Sequence, residues 1–495
     1  MKQFLQIVAV FSAFAAAKPL HIPSTLSSRG YNDTWSVGQT VDTTSGPVQG
    51  HAASEAIEVS EYLGIPFAQP PTGSLRFQPP VAYNGASVIN GTDFGFACTQ
   101  ASGGNTLPQS EDCLTLNIWT KPQVGDKKKA ILVWVYGGAY TIGSSRSPEY
   151  NGQYFADQTD VILISFNYRL NIFGFPGNPA TASNLGLLDM RLALEWIRNN
   201  AAKFGGDVNR ISLFGQSAGA GMIDFYSYAY ASDPIANGFA LHSATVNGFP
   251  SLPRNSTEAS WFRIAEAVGC GPRTADPNEI TDCMRIKTPQ EILAAFSSQD
   301  TGIGATPAFG PGVDDIIVFE DYGSRHSAVG GYLIGNNENE AGLFRQFQNQ
   351  TDAYWQDFNQ RLYTCADAER IAQSVRDGYP SWRYRYFGDF PNLAVSTNPP
   401  SGAYHGAELP VLFGTVDEVA QNSTPSTPDL VAVGDYLRCA WSTFAKDPFR
   451  GLLTYAEGWP TYEPTEETLV RLAFENRPGA NFTLGNAYDG PCQAS

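Results

Sequence analysis

Two segments, Ala130–Tyr136 (AILVWVY) and Val161–Tyr168 (VILISFNY), are short, rich in β-branched residues and apolar at both odd and even positions. That pattern predicts strands covered on both faces. Between Gly186 and Phe204 the period changes to helical, with Leu187, Met190, Leu194, Ile197, Ala201 and Phe204 on one face and Gly205-Gly206 as the stop. Ile211, Leu213 and Phe214 then predict a short strand that runs directly into GQSAG (Gly215–Gly219) and a helix-compatible stretch. Further strand candidates are Gly238–Leu241, Tyr332–Ile334 and Arg383–Phe387. Strand, helix, strand, elbow and helix in this order predict an α/β fold on a mainly parallel sheet with right-handed crossovers. The Pro- and Ser-rich stretches Asn398–Ser401 and Gln421–Pro428 predict surface loops. No composition break divides the chain, so one domain is expected over residues 18–495.

The N-terminus is set apart. Lys2, the apolar run Phe4–Ala16, and the small residues Ala15 and Ala17 predict a secretory signal over Met1–Ala17, followed by a polar stretch from Lys18 to about Val37. No later segment supplies the roughly 20 apolar residues of a membrane span. Six sequons, at Asn32, Asn90, Asn255, Asn349, Asn422 and Asn481, agree with an exported, glycan-bearing surface. Seven cysteines in an exported chain point to disulfides with one thiol left over; Cys98 and Cys113 are close in sequence, as are Cys270 and Cys283. There is no CxxC pair to suggest zinc or thioredoxin-like chemistry. With 16% charged and 13% aromatic residues, the 495-residue chain has ample material for a large core. A formal charge of −17 argues against a nucleic-acid partner.

GQSAG is where the chemistry enters. A serine at a strand-to-helix turn, flanked by glycines that let the two elements approach, is the arrangement of a nucleophile elbow, which makes Ser217 the candidate nucleophile. A hydroxyl needs a base, and imidazole is the suitable side chain near neutral pH. Elbows of this kind take their partners in the order serine, acid, histidine. His21 and His51 precede Ser217, and His242 follows too closely; His326 and His405 remain, with His405 better set in the small-residue loop AYHGAELP. The acid is expected in GYLIGNNENEAGLF, where Glu340 follows the strand candidate Tyr332–Ile334, with Glu338 as local competitor and Asp314 and Asp315 as distant ones. YGGAY (Tyr136–Tyr140) leaves a strand end with small residues. The N–H groups of Gly138 and Ala139, with that of Ala218 at the helix start, would make a three-donor oxyanion hole.

YLGIPFAQPPTGSLRF (Tyr62–Phe77), EDCLTLNIW (Glu111–Trp119), VWVYGGAY, ISFNYRLNIFGF (Ile164–Phe175), NLGLLDMRLALEWIRNNAAKFGGD (Asn184–Asp207), FGQSAGA, GNNENEAGLF and YHGAELPVLFG (Tyr404–Gly414) follow one another along nearly the whole chain. In these blocks the chain resembles the type-B carboxylesterase/lipase family, the cholinesterase-like α/β-hydrolases, as a secreted fungal-type member. The resemblance implies an α/β-hydrolase fold with a large, mostly parallel twisted sheet and helices on both faces. It implies Ser217, Glu340 and His405 as a triad, choosing Glu340 over Glu338, with Gly138, Ala139 and Ala218 as oxyanion donors. It further implies the disulfides Cys98–Cys113 and Cys270–Cys283, each worth on the order of 3 kcal/mol by loop entropy. An Arg76–Glu111 ion pair, a Cys365–Cys492 bond and a buried free thiol at Cys439 belong to the same implication.

Three departures narrow the substrate. Gln216 stands where cholinesterase-like members carry a glutamate, and Thr99–Asp112, inside the first disulfide loop, has no aromatic ring to hold a quaternary ammonium. That loop, fourteen mostly polar residues, is also too short for the amphipathic flap of an interfacial lipase. Ala139 replaces a glycine of the oxyanion run and tightens the site by a methyl. The expected activity is therefore serine-dependent hydrolysis of small-molecule carboxylic esters, without metal or organic cofactor. Acyl and alcohol pockets are expected near Phe309–Phe319 and the Cys98 loop. The alternatives are a lipase for longer-chain acylglycerols and, from another class, a non-catalytic adhesion or binding protein on the same scaffold.

Overall fold

The computed structural model describes residues 35–101, 107–122, 128–249, 251–297, 300 and 308–494. The signal segment Met1–Ala17, the residues after it up to 34 and the sequon at Asn32 lie outside the described residues, as does part of the Cys98 loop.

Among the described residues one sheet holds eleven strands: β1 (His51–Ala52), β2 (Ser60–Pro66), β3 (Thr115–Thr120), β4 (Lys129–Val135), β5 (Val161–Phe166), β6 (Gly206–Gln216), β7 (Gly238–His242), β8 (Gly331–Asn337), β9 (Ser381–Tyr386), β10 (Leu469–Leu472) and β11 (Ala480–Thr483). Across the sheet the order is β11-β10-β9-β8-β7-β6-β4-β5-β3-β2-β1. From β5 to β10 every neighbouring pair is parallel. The edges are closed by antiparallel pairs. The chain leaves β4 toward β5 on one side and returns to β6 on the other. This makes the carboxyl ends of β4 and β6 a switch point, where open α/β sheets place their sites.

Every residue of β4 and β5 is buried, as their continuous apolar runs predict. On one face Trp134, Phe214 and His242 pack against Phe155, Phe413 and Trp441, which stand on helices. On the other face α2 (Ala218–Ala229) lies against β6, with Ile223 beside Gly215. α2 is held from behind by the buried Arg370 guanidinium, whose Nε is 2.9 Å from Asp224 Oδ1. The predicted helix between Gly186 and Phe204 is α1 (Leu185–Asn200) followed by a tighter turn, Ala201–Phe204. Gly205 ends that turn in the left-handed conformation (φ 85°), which favours glycine.

The predicted strands all appear, with ends shifted by a few residues. β6 begins at Gly206, well before Ile211, because an irregular register between Gly206 and Ile211 lets polar residues join its start. Gln421–Pro428 ends one residue early as a loop: Thr427 caps α3 (Pro428–Lys446), and Pro428 opens the helix, where its missing N–H costs nothing.

The disulfides are Cys98–Cys113, Cys270–Cys283 and Cys365–Cys492. Arg76 grips Glu111 with two bonds, of 2.6 and 2.5 Å, beside the first of them. The expectation of a buried Cys439 thiol is corrected: it is half-buried. The buried stripe of α3 runs through Leu430, Val433, Leu437, Ala440, Trp441 and Phe444, and position 439 falls on the flank of that stripe. Phe309 is fully buried in a second apolar cluster with Phe77, Phe173 and Trp261, while residues 301–307 lie outside the described residues.

Candidate active site

Ser217 stands between the last residue of β6 and the first of α2, with no linker to make the turn. Its φ of 56° and ψ of −128° are the consequence, a conformation that non-glycine residues rarely adopt. Its N–H donates to the His242 carbonyl oxygen at 2.8 Å, which anchors the turn to β7. The flanking glycines are required by contact. A Cβ on Gly219 would lie 2.0 Å from the Val135 carbonyl oxygen and 2.6 Å from that of Tyr136; one on Gly215 would lie 2.8 Å from the former. α2 therefore rests directly on the backbone at the end of β4.

The loop leaving β4 is bent by three consecutive residues with positive φ, Gly138 (112°), Ala139 (54°) and Tyr140 (61°). It curls around the Gly138 carbonyl, which accepts the N–H groups of Thr141 and Ile142 at 3.0 Å each. A Cβ on Gly137 would sit 2.9 Å from Ser217 Cβ, so the loop carrying Gly138 and Ala139 is pressed against the elbow. Ala218 is the first residue of α2, where a backbone N–H has no carbonyl one turn behind it. Gln100 exchanges two hydrogen bonds with the Gly143 backbone and ties the Cys98 loop to this turn.

Glu340, three residues beyond β8, is completely buried. Its Oε2 lies 2.6 Å from His405 Nδ1, while its Oε1 accepts the Ser243 hydroxyl at 2.7 Å and the Asn337 N–H at 2.6 Å. A carboxylate so placed keeps the proton of a neutral His405 on Nδ1 and turns the lone pair of Nε2 outward. His405 is packed between the rings of Phe344 and Tyr363, and its buried Nε2 has no hydrogen-bond partner among the described residues. Gln216 fills the space between the two loops, with Oε1 against Gly137 and Nε2 against Gly406. Glu340 and His405 are thus joined by a hydrogen bond, and the Gln216 side chain, next to Ser217 in the chain, reaches the histidine loop at Gly406.

Two further acids stand near Glu340. Burial pushes the Asp367 carboxyl and the Tyr363 hydroxyl well above their ordinary values, and the nearby Glu340 carboxylate pushes both the same way.

The competitors are placed elsewhere. Glu338 is exposed, and Asp314 is occupied by the N–H groups of Ile316, Ile317 and Val318. His326 is exposed beside Asp377, His51 lies near Glu61, and His242 is buried under α3. Ser243 and Asn337, which hold the far oxygen of Glu340, carry no sequence signal of their own: Ser243 follows the neighbouring strand β7, and Asn337 ends the strand that leads to Glu340. Among the described residues no three His, Cys, Asp or Glu side chains gather as a metal site, and no helix is long and apolar enough to cross a membrane.

Comparison with known proteins is decisive at this point. Residues 37–382 match the model of the carboxylesterase family. The chain belongs to the carboxylesterase family. It is 31% identical to secreted lipase 5 of Gibberella zeae, over 97% of this chain and 98% of that protein. It is 33% identical to a chlorogenic acid esterase of Aspergillus niger, over 90% of each. Among solved structures, PNB esterase superimposes with a TM-score of 0.77 at 24% identity, covering 92% of this chain and 99% of that one. The carboxylesterase described here therefore has the α/β-hydrolase fold and is a carboxylic ester hydrolase acting on small-molecule esters.

The contact between Gly219 and β4 carries a direct test. Gly219→Ala must move α2 away from the Val135 carbonyl, and we expect a loss of about 1–3 kcal/mol in denaturant titration, the range for overpacked sites. An unchanged unfolding midpoint would show that the elbow is looser than this contact requires.

Proposed function

We propose that this carboxylesterase is an exported serine hydrolase that works through an acyl-enzyme on Ser217. His405 Nε2 takes the Ser217 proton as Oγ attacks the ester carbonyl, then delivers it to the leaving alcohol. Glu340 holds the imidazole in the required tautomer and stabilises its charged form. The N–H groups of Gly138, Ala139 and Ala218 receive the oxyanion. Water then repeats the sequence and releases the acid. The observation that carries this reading is the 2.6 Å bond between buried Glu340 and His405, which leaves Nε2 without a partner among the described residues, together with the strained backbone of Ser217 at the elbow. No step draws on a metal or organic cofactor. An intact triad also weighs against a purely non-catalytic binding protein.

For the substrate, we infer a dissolved, uncharged ester. Gln216 puts an amide, not a carboxylate, between the oxyanion loop and the histidine loop, which removes the charge that would attract a choline cation. The similarity to a secreted lipase supports longer acylglycerols as the second reading, and that to a chlorogenic acid esterase brings aromatic esters into the test. We place the mature protein outside the cell as one domain over residues 18–495.

Three experiments test these statements. Ser217→Ala is expected to fall in kcat on short nitrophenyl esters by on the order of 10⁶ and to lose labelling by a fluorophosphonate; a folded variant with unchanged turnover refutes the assignment. In a panel of acyl lengths that includes aromatic esters, kcat/KM should favour dissolved esters over emulsified long-chain ones, and a rise in activity at the oil interface would select the lipase reading. N-terminal sequencing of exported protein should begin at Lys18, and retention of Met1 would exclude cleavage.

A further inference from the structure

Behind the Glu340–His405 couple lies a second buried carboxylate–imidazole couple. His242, the last residue of β7, is fully buried, and its Nδ1 is 3.4 Å from Oε1 of Glu408, three residues beyond His405. Neither of these two atoms has a hydrogen-bond partner among the described residues, so each is the other's nearest polar group of opposite character. The opposite ring nitrogen, Nε2, receives the indole N–H of Trp441 at 2.8 Å. An indole nitrogen only donates, so Nε2 must present its lone pair. The ring proton therefore sits on Nδ1, the nitrogen 3.4 Å from Glu408; a proton on Nε2 would face another donor.

Asn337 joins the two couples. Its N–H donates to Glu340 Oε1 at 2.6 Å, while its side-chain amide donates to Glu408 Oε2 and to the Tyr404 carbonyl oxygen, each at 2.6 Å. One residue thus grips the acid, the strand end that carries it and the peptide just before His405. The His242 backbone is engaged as well: its carbonyl oxygen accepts the Ser217 N–H, and the next residue, Ser243, bonds Glu340. Tyr384 packs on the His242 ring from β9. The Glu408 charge is also felt by Tyr150, Tyr386, Tyr404 and Glu149, whose carboxyl burial pushes up to about 7.

We propose that His242 and Glu408 are positioning residues for the acid–base pair: His242, fixed as its Nδ1–H tautomer by Trp441, orients Glu408, and Glu408 holds Asn337 so that Glu340 and His405 stay aligned with Ser217. This rests on the triad reading above. Misalignment by a fraction of an ångström acts on the transition state more than on substrate binding, so the couple should be read in kcat.

The substitutions separate positioning from filling space. In His242→Gln the amide oxygen can accept the Trp441 N–H while the amide nitrogen donates to Glu408; His242→Leu can do neither. Glu408→Gln keeps the shape but sets an amide donor against Asn337 or His242. We expect His242→Leu and Glu408→Gln to lose at least about tenfold in kcat, with KM within about threefold, and His242→Gln to recover to within about threefold of the parent enzyme. The proposal is overturned if folded His242→Leu or Glu408→Gln turns over like the parent, or if His242→Gln is as impaired as His242→Leu. Should His242→Leu not fold, Glu408→Gln and His242→Gln decide between them: impaired turnover in the first with near-parent turnover in the second supports the couple, and any other result overturns it. Fluorophosphonate labelling of Ser217 in the parent enzyme keeps the two claims apart, since its absence sinks the triad reading itself.

Discussion

The close approach of α2 to the end of β4 is the constraint on which the rest of the site depends. With Gly219 in contact with the Val135 carbonyl, the chain has no room for a linker between β6 and α2, and Ser217 must take a left-handed φ to connect them. The same contact places the first turn of α2, with its unbonded N–H groups, beside the loop that leaves β4. Gly137 meets Ser217 from that loop, so the elbow serine and the loop carrying Gly138 and Ala139 are set by the packing of one helix on one strand. The buried Asp224–Arg370 pair holds α2 in place from its other side.

Electrostatics at the site are built on one fully buried carboxylate. Glu340 is fully buried, a costly position for a charge, and three donors from different elements meet it: His405, Ser243 and Asn337. The acids nearby are kept from competing. Desolvation raises the Asp367 carboxyl well above its ordinary value, while Glu408 faces Asn337 and His242 on the far side of that amide.

The central strands and α1 were legible in the sequence because their burial is two-sided or strictly periodic. β1, β2, β3, β10 and β11 were not predicted from pattern: they lie toward the sheet edges, where pairing with a neighbour, more than local sequence, decides whether an extended segment becomes a strand. The flank position of Cys439 was missed for a related reason. Its apolar neighbours Leu437, Ala440 and Trp441 say that the helix is buried, but the rotation of the helix sets which residue meets the core.

By itself the sequence determined the class of fold, the strand-to-helix turn at GQSAG and the family, because these are written in local periodicity and in blocks long enough to be specific. Tertiary structure alone decided what surrounds them. Ser243 reaches Glu340 from 97 residues away, and His242 and Trp441, 199 residues apart, meet across the sheet. Such contacts depend on strand register and helix packing, which bring distant residues within hydrogen-bond range and leave no mark on the residues nearby in sequence.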